Sequence, residues 1–165
     1  MFRRILGIDP GLASTGFGIV DCSGTAMRML CYGVIETAPG MDMGLRLAQI
    51  YDELDSVIKR FSPQEAGMEE LFFARNVSSA MHVAEAKGVA TLCVTRNGIP
   101  LGMYKPNQIK MAVTGGASAD KELVQRSVCL LLRLQEPVRP DHASDALAAA
   151  ITHCHYTAGA FGVRT

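Results

Sequence analysis

The sequence predicts an α/β fold in which helices pack on a β-sheet. Two observations predict it. Before residue 38, three apolar segments follow one another with short connections, which is typical of an antiparallel meander of strands. From there to the end of the chain, helical and strand-like patterns alternate, as they do in α/β proteins.

The length and composition of the chain favour a single domain. With 165 residues, of which 48% are hydrophobic and 19% are charged, the chain is long enough to bury a proper core. It contains no internal repeat and no linker-like segment. We therefore expect residues 1–157 to form one domain and residues 158–165 to form a flexible C-terminal tail.

The first predicted strand, residues 5–9, ends abruptly at a carboxylate. Pro10 follows and cannot donate a hydrogen bond within a sheet, and Gly11 suits a tight turn. Asp9 is therefore expected at the mouth of the sheet, where a rigid element can hold an acid in place for chemistry. The alternative is that an Asp before Pro-Gly only opens a turn.

The later elements follow from the spacing of apolar residues and from turn signals. Apolar residues three or four positions apart predict helices, and short apolar runs bounded by Gly, Pro or Ser predict strands. We predict the further strands at residues 15–21, 27–37, 66–73 and 100–104. We predict the helices at residues 45–61, 77–94, 107–113, 120–134 and 141–156.

The helix at residues 120–134 is expected to bury one face, and so is the last helix. The residues that we expect to be buried are Leu123, Val124, Val128 and Leu131 in the first of these and Leu147, Ala150, Ile151 and Cys154 in the second.

The formal net charge of zero hides an uneven distribution. Residues 36–70 carry eight acids and three bases, whereas residues 75–133 carry eight bases and three acids. Such a split can make one face basic enough to attract phosphate groups, as in proteins that bind nucleic acid. The alternative is an ordinary solvated surface.

Cysteine usage and hydropathy indicate a cytoplasmic protein. The five cysteines are scattered, odd in number and form no Cys-x-x-Cys motif, which suits reduced thiols better than disulfides or a zinc site. No apolar run approaches the length of a membrane span, and Asp9 comes too early for a secretory signal peptide.

Besides Asp9 at the end of the first strand, acidic residues occur in one later strand and at the start of the last helix. Glu69 and Glu70 lie inside the predicted strand at residues 66–73, and because neighbouring strand residues face opposite sides, only one of them can face a site. In the last helix, Asp145 shares a face with His142 and also with Asp141, at spacings of three and four. Helical spacing does not choose between those two partners.

Acids from a strand end, a central strand and a helix start suggest a convergent metal site. Oxygen ligands suit Mg²⁺ or Mn²⁺, and two such ions about 3.5–4 Å apart would activate a water and stabilise the leaving oxygen in phosphodiester hydrolysis. The alternative is that these acids are solvated or cap helices. His153 and His155 are two apart on a helix and cannot close on one zinc ion.

Three motifs resemble those of the RuvC-type Holliday junction resolvases. They are Gly-Ile-Asp-Pro-Gly at residues 7–11, Met-Glu-Glu-Leu-Phe-Phe-Ala-Arg-Asn at residues 68–76 and Asp-Ala-Leu-Ala at residues 145–148. The resemblance runs in register from about residue 4 to residue 156. It implies an RNase H-like fold, with a mixed five-stranded sheet flanked by helices on both faces. It also implies a homodimer that resolves four-way DNA junctions by Mg²⁺-dependent hydrolysis, with Mn²⁺ as a plausible substitute.

The resemblance also implies roles for individual residues. Asp9, Glu69 and Asp145 match the family's catalytic, metal-binding carboxylates. His142 stands where the family commonly has an Asp and is the fourth predicted catalytic, metal-binding residue, with Asp141 as the alternative. The residues that match positions near the DNA are Phe72, Arg75, Asn76, Lys110 and Lys121. Phe72 could instead be a core residue, and Lys110 and Lys121 could be plain surface lysines.

The implied homodimer requires an interface, and the helix at residues 77–94 is our candidate. One stripe of this helix combines small and apolar residues, which permit close approach of a second helix: Val77, Met81, Ala84, Gly88 and Leu92. The alternative is that the stripe packs on the sheet. Branch-migration motor proteins are further partners that the resemblance implies.

Other functions remain open at this point. An actin-like or sugar-kinase-like ATPase lobe also begins with a strand and an Asp-Gly turn, but it needs a second lobe for which 165 residues leave no room. A related nuclease that acts on RNA, and a junction-binding protein with weak or lost catalysis, are the remaining alternatives.

Overall fold

The computed structural model describes residues 2–70 and 77–158, of which 77–79 are described for the backbone only. The chain begins with a meander of strands β1 (Arg3–Asp9), β2 (Ser14–Ser23) and β3 (Ala26–Glu36). The elements that follow are α1 (Met43–Phe61), β4 (Glu65–Glu69), α2 (Val77–Arg96), β5 (Leu101–Tyr104), α3 (Pro106–Thr114), α4 (Lys121–Leu131) and α5 (Asp141–Thr157).

The five strands form one mixed sheet in the order β3-β2-β1-β4-β5. The meander is antiparallel, as predicted, whereas β4 runs parallel to β1 and to β5. Helices cover both faces: α1 and α2 pack over one hydrophobic core, and α3, α4 and α5 pack over the other. The predicted RNase H-like architecture, a mixed five-stranded sheet flanked on both faces, is therefore confirmed.

Helix α5 lies directly against the sheet at glycines. A Cβ atom at Gly7 of β1 would lie 1.9 Å from the carbonyl oxygen of Ala146, and one at Gly16 of β2 would lie 2.0 Å from that of His142. These distances are far below van der Waals contact, so only glycine permits the approach. Two glycines in adjacent strands thus fix the position of α5.

The prediction of a single packing face for α5 was too narrow. Leu147, Ala150, Ile151 and Cys154 are buried as expected, but so is every other residue of the stretch 146–154. The reason is that α5 is sandwiched between the sheet and helices α3 and α4. His153, on the supposed outer side, contacts Glu65 and Tyr104 inside the protein.

Two other details of the predicted elements were wrong. Strand β4 ends at Glu69, so Glu70 lies beyond the strand and not inside it, and residues 71–73 are outside the described residues. In α4, Val124 and Val128 are buried, but Leu123 is 47% exposed. Helix α4 ends at Leu131, and the core beside it is filled by Leu132, which is one residue past that end.

The stripe that we proposed on α2 does not pack on the sheet. Met81 is 60% exposed and Leu92 is 52% exposed, and a Cβ atom at Gly88 would meet nothing within 4 Å. The opposite side of α2 carries the buried residues Ala86, Ala90, Cys93 and Val94. The alternative that this stripe packs on the sheet is therefore wrong for those of its residues that the structure describes.

No helix of the described residues combines the length and the apolar character that a membrane span requires. The proposed domain boundary at residue 157 coincides with the last residue of α5, and residues 159–165 of the expected tail lie outside the described residues.

Candidate active site

Asp9 and Glu69 come together because their strands are parallel neighbours that end at the same level. The register pairs Ile8 with Met68, and Asp9 and Glu69 are the next residue of each strand. Side chains two positions apart share a face of a sheet. Gly7 and Gly67 both face α5, so Asp9 and Glu69 project toward α5 as well.

The first turns of α5 supply two more side chains to this place. His142 lies against Asp9, with 2.7 Å between His142 Nδ1 and Asp9 Oδ2. A carboxylate oxygen can only accept, so Nδ1 donates this hydrogen bond. The bond to Asp9 raises the pKa of His142, as do the charges of Asp9 and Asp145, against the effect of burial.

The carboxyl groups at this site affect one another. Burial, then the charges of Asp9 and Asp145, raises the pKa of Glu69 to about 7, despite the opposing effect of Lys110 and Lys121. Burial and Asp9 likewise raise the pKa of Asp145. The three acids therefore form a cluster of mutually repelling negative charge.

Two lysines line an open cavity of about 210 Å³ together with Glu69 and Asp145. Lys110 comes from α3 and Lys121 from the first residue of α4. The residues that line the cavity are Glu69, Pro106, Ile109, Lys110, Lys121, Val124 and Asp145. The cavity thus combines carboxylates with ammonium groups, which can attract a phosphate to the acids.

Asp141 does not contact Asp9. Its Oδ2 lies 3.1 Å from Lys121 Nζ, and its Oδ1 accepts hydrogen bonds from Gln125 and Arg139 at 2.9 and 3.0 Å. The structure therefore separates the two neighbours that helical spacing left equivalent, because it turns His142 toward the strand acid and Asp141 toward α4.

Two basic residues that no sequence pattern singled out lie at a cavity beside His142. Arg46 and His82 line a second open cavity of about 280 Å³, together with the turn after β1 and His142 itself. Arg46 Nε also donates a hydrogen bond to Thr37 Oγ1 at 2.8 Å. Arg46 lies in the acidic part of the sequence, so no charge pattern singled it out.

Glu70, the other acid of the predicted strand, is not part of this arrangement, and three predicted DNA contacts are outside the described residues. Glu70 is half-buried just beyond β4, where its backbone N–H donates to the Tyr104 carbonyl at 2.7 Å. Phe72, Arg75 and Asn76 are outside the described residues, so their predicted contacts with DNA stay predictions.

The donor set fits a hard divalent cation. Carboxylate oxygens and an imidazole are suitable ligands for Mg²⁺ or Mn²⁺, and a cation would offset the burial and the repulsion that together raise the pKa of Glu69. Within residues 2–70 and 77–158, however, no three His, Cys, Asp or Glu side chains are gathered closely enough to hold one ion. Asp9 and Asp145 are instead engaged by His142 and Lys121.

The order of the strands and the acids that meet at one end of the sheet define the class of protein. It is a nuclease with an RNase H-like fold. The family model described as crossover junction endodeoxyribonuclease RuvC matches residues 5–153. This match spans most of the chain, so the chain belongs to the RuvC crossover junction endodeoxyribonuclease family.

Similar proteins of known name agree with this assignment. The crossover junction endodeoxyribonuclease RuvC of Treponema denticola is 51% identical over 148 residues, which cover 90% of this chain and 83% of the relative. The RuvC of Brevibacillus brevis is 45% identical and covers 94% and 93%. The structure of T. thermophilus RuvC in complex with a Holliday junction substrate superposes with a TM-score of 0.91 at 34% identity and covers 96% of both chains.

Proposed function

We propose that this protein is a structure-selective endonuclease that resolves four-way DNA junctions by metal-dependent hydrolysis. The observation that carries the proposal is the convergence of Asp9, Glu69, His142 and Asp145 at one end of the sheet in a member of the RuvC family. A similar protein, T. thermophilus RuvC, has a structure with a Holliday junction substrate.

In this proposal, Asp9, Glu69 and Asp145 hold two divalent ions, with Mg²⁺ as the expected metal and Mn²⁺ as a substitute. When bound, such ions activate a water and stabilise the leaving oxygen. Glu69 must give up its proton before it can act as a ligand. His142 orients the Asp9 carboxylate through Nδ1, and its other ring nitrogen is the candidate contact to a metal ion or a phosphate.

Basic residues are proposed to bind the junction arms. Lys110 and Lys121 stand at the cavity that holds Glu69 and Asp145, so they can bring a phosphate to the acids. Phe72, Arg75 and Asn76 complete the proposed DNA contacts on the strength of the sequence resemblance alone. The excess of bases in residues 75–133 supports this assignment.

We further propose that the working unit is a homodimer. A junction has two like strands to cut, and a two-fold dimer offers two active sites related as those strands are. The exposed stripe of α2, with Met81, Gly88 and Leu92, supports this proposal because it is apolar, unobstructed and lies on a single helix face.

A branch-migration motor protein is a further proposed partner, on the strength of the sequence resemblance alone. The free thiols of the described cysteines support a cytoplasmic location.

The test is cleavage of a synthetic four-way junction with and without Mg²⁺. Asp9→Asn, Glu69→Gln and Asp145→Asn should each lower the cleavage rate by more than about a hundredfold. Removal of a residue that only hydrogen-bonds to a metal ligand already lowers metal affinity or activity by about 10–100-fold. Junction binding should change little, since the carboxylates act on the transition state.

Glu70→Gln is the matched control, because it removes the adjacent carboxylate beyond the end of β4. It should cut like the wild type. A wild-type protein that binds the junction and never cuts it would identify a junction-binding protein that has lost catalysis. Preferential cleavage of RNA would identify the related nuclease instead.

A further inference from the structure

Asp141 joins the start of α5 to the first two turns of α4. Its Oδ1 accepts hydrogen bonds from Gln125 Nε2 at 2.9 Å and from Arg139 Nη1 at 3.0 Å. Its Oδ2 lies 3.1 Å from Lys121 Nζ. The neutral donor Gln125 and the cationic donor Arg139 both bind Oδ1 and so orient the carboxylate. Its other oxygen, Oδ2, therefore points toward Lys121.

Lys121 is shared between two carboxylates. Its Nζ lies 3.5 Å from Asp145 Oδ2 in addition to its contact with Asp141. The lysine side chain is 57% exposed, so the ammonium sits at the rim of the cavity and not at its floor. The single positive charge of Lys121 thus contacts two carboxylates. Asp145 belongs to the proposed metal site, and Asp141 lies outside it.

The two contacts of Lys121 have opposite consequences for metal binding. An ammonium that pairs with Asp145 occupies an oxygen that a divalent cation requires, so the two compete for it. An ammonium that is drawn toward Asp141 pairs more weakly with Asp145 and remains close enough to meet a phosphate. The balance between these partners therefore affects how readily the site accepts metal.

We propose that Asp141 is a positioning residue that shares the Lys121 ammonium with Asp145 and thereby weakens the hold of Lys121 on the metal-binding oxygen of Asp145. The inference rests on the proposed metal-dependent nuclease function and adds a residue to it. Asp141 and Asp145 are the carboxylates within 4.0 Å of Lys121 Nζ among the described residues. Loss of the Asp141 charge would leave Lys121 to pair with Asp145.

The test is a double-mutant cycle between Asp141 and Lys121, with Mn²⁺ alone as the probe and no DNA present. Binding is followed by water proton relaxation on the full chain. Asp141→Asn should raise the dissociation constant for Mn²⁺ about threefold, the size expected for one partly exposed charge contact. In the Lys121→Met background the same substitution should have no effect, because the competing ammonium is gone.

Three further measurements separate positioning from a general effect. Asp141→Glu keeps the charge and should restore most of the Mn²⁺ affinity. Glu122→Gln removes an acid from the same turn of α4, one that pairs with Arg126 and not with Lys121, and should leave Mn²⁺ binding unchanged. In the junction assay, Asp141→Asn should raise the Mg²⁺ concentration for half-maximal cleavage.

The outcomes distinguish this inference from the proposed function. If the wild type neither binds Mn²⁺ nor cuts a junction, the proposed function fails and this inference falls with it. If the wild type does both and Asp141→Asn binds Mn²⁺ equally well, only the inference is overturned. An effect of the same size in the Lys121→Met background would also overturn it, because Asp141 would then act directly through its own charge. Circular dichroism confirms that each variant is folded.

Discussion

At the scale of single residues, Glu69 has the most unusual surroundings of the proposed ligands. It is half-buried at the end of β4 and shares its site with Asp9 and Asp145. Burial and these two charges raise its pKa from 4.5 to about 7. In the unfolded chain the carboxyl has its ordinary pKa, so the folded protein pays a free-energy cost to ionise it.

This cost predicts a pH-dependent gain in stability for Glu69→Gln. A raised acid pKa lowers the stability of the fold as pH rises from 4.5 to about 7, and the loss is complete above that range. Glutamine mimics the protonated acid, so the variant should unfold at a higher temperature than the wild type at pH 8. After allowance for solvent screening, the gain should be on the order of 1 kcal/mol.

The measurement is thermal unfolding in a metal chelator at pH 8 and pH 5. The gain should shrink at pH 5, where the wild-type carboxyl is mostly protonated. Glu70→Gln serves as the comparison at the neighbouring position. A gain of equal size at both pH values would show that Glu69 is not destabilised by ionisation.

At the scale of elements, helix α5 connects the core to the site. Its buried middle packs on β1 at Gly7, and its start packs on β2 at Gly16 and carries His142 and Asp145. Because a helix moves as a rigid rod, any displacement of its buried part also displaces the two site residues. Packing and function are therefore coupled along this helix.

Gly7→Ala tests this coupling. The new Cβ would lie 1.9 Å from the Ala146 carbonyl oxygen, which belongs to backbone and cannot rotate away. We expect overpacking to cost about 1–3 kcal/mol, seen as a lower midpoint of thermal unfolding. Cleavage should fall by up to about a hundredfold, since a displacement near 1 Å is enough for such a loss.

Gly40→Ala is the matched control, because a Cβ atom at Gly40 would meet nothing within 4 Å. It should retain both the stability and the cleavage rate of the wild type. Normal stability and cleavage in Gly7→Ala would mean that α5 does not approach β1 as closely as described.

At the scale of the whole molecule, the exposed face of α2 bears on the number of subunits. Met81 and Leu92 together expose apolar surface around Gly88, on a helix whose other side is buried in the core. Exposed apolar patches of this kind commonly mark protein interfaces. Two copies of α2 related by a two-fold axis would cover the patch in both subunits.

Gly88→Glu should therefore convert a dimer into a folded monomer. In sedimentation equilibrium, the wild type should have twice the 17.7 kDa mass of the chain, and the variant should have the mass of a single chain. The variant should fold, because the space around Gly88 is open. It should bind junctions but lose the pairing of the two incisions.

Ala48→Glu places the same side chain at an exposed position of α1, outside the stripe, and should remain dimeric. A dimeric Gly88→Glu variant would place the interface elsewhere, and a monomeric wild type at micromolar concentration would remove the dimer from the proposed function.

The sequence by itself determined the sheet and two of the acids that meet at its edge. Strand patterns are local, so Asp9 at the end of one apolar run could be recognised before its neighbours were known. The pattern of a later strand left Glu69 and Glu70 as alternatives, and the motif resemblance chose Glu69. The motif at Asp145 located the third acid on the last helix. Local pattern and motif together were enough because each of these residues occupies a fixed position within its own segment.

Only the tertiary structure decided what each of these elements contacts. Helical spacing leaves Asp141 and His142 equivalent partners for Asp145, and the packing of α5 on Gly7 and Gly16 turns one toward Asp9 and the other toward Lys121. Likewise, the pattern of α2 does not say which stripe meets the core. The physical reason is that periodicity defines faces, whereas the close approach of other elements determines what each face contacts.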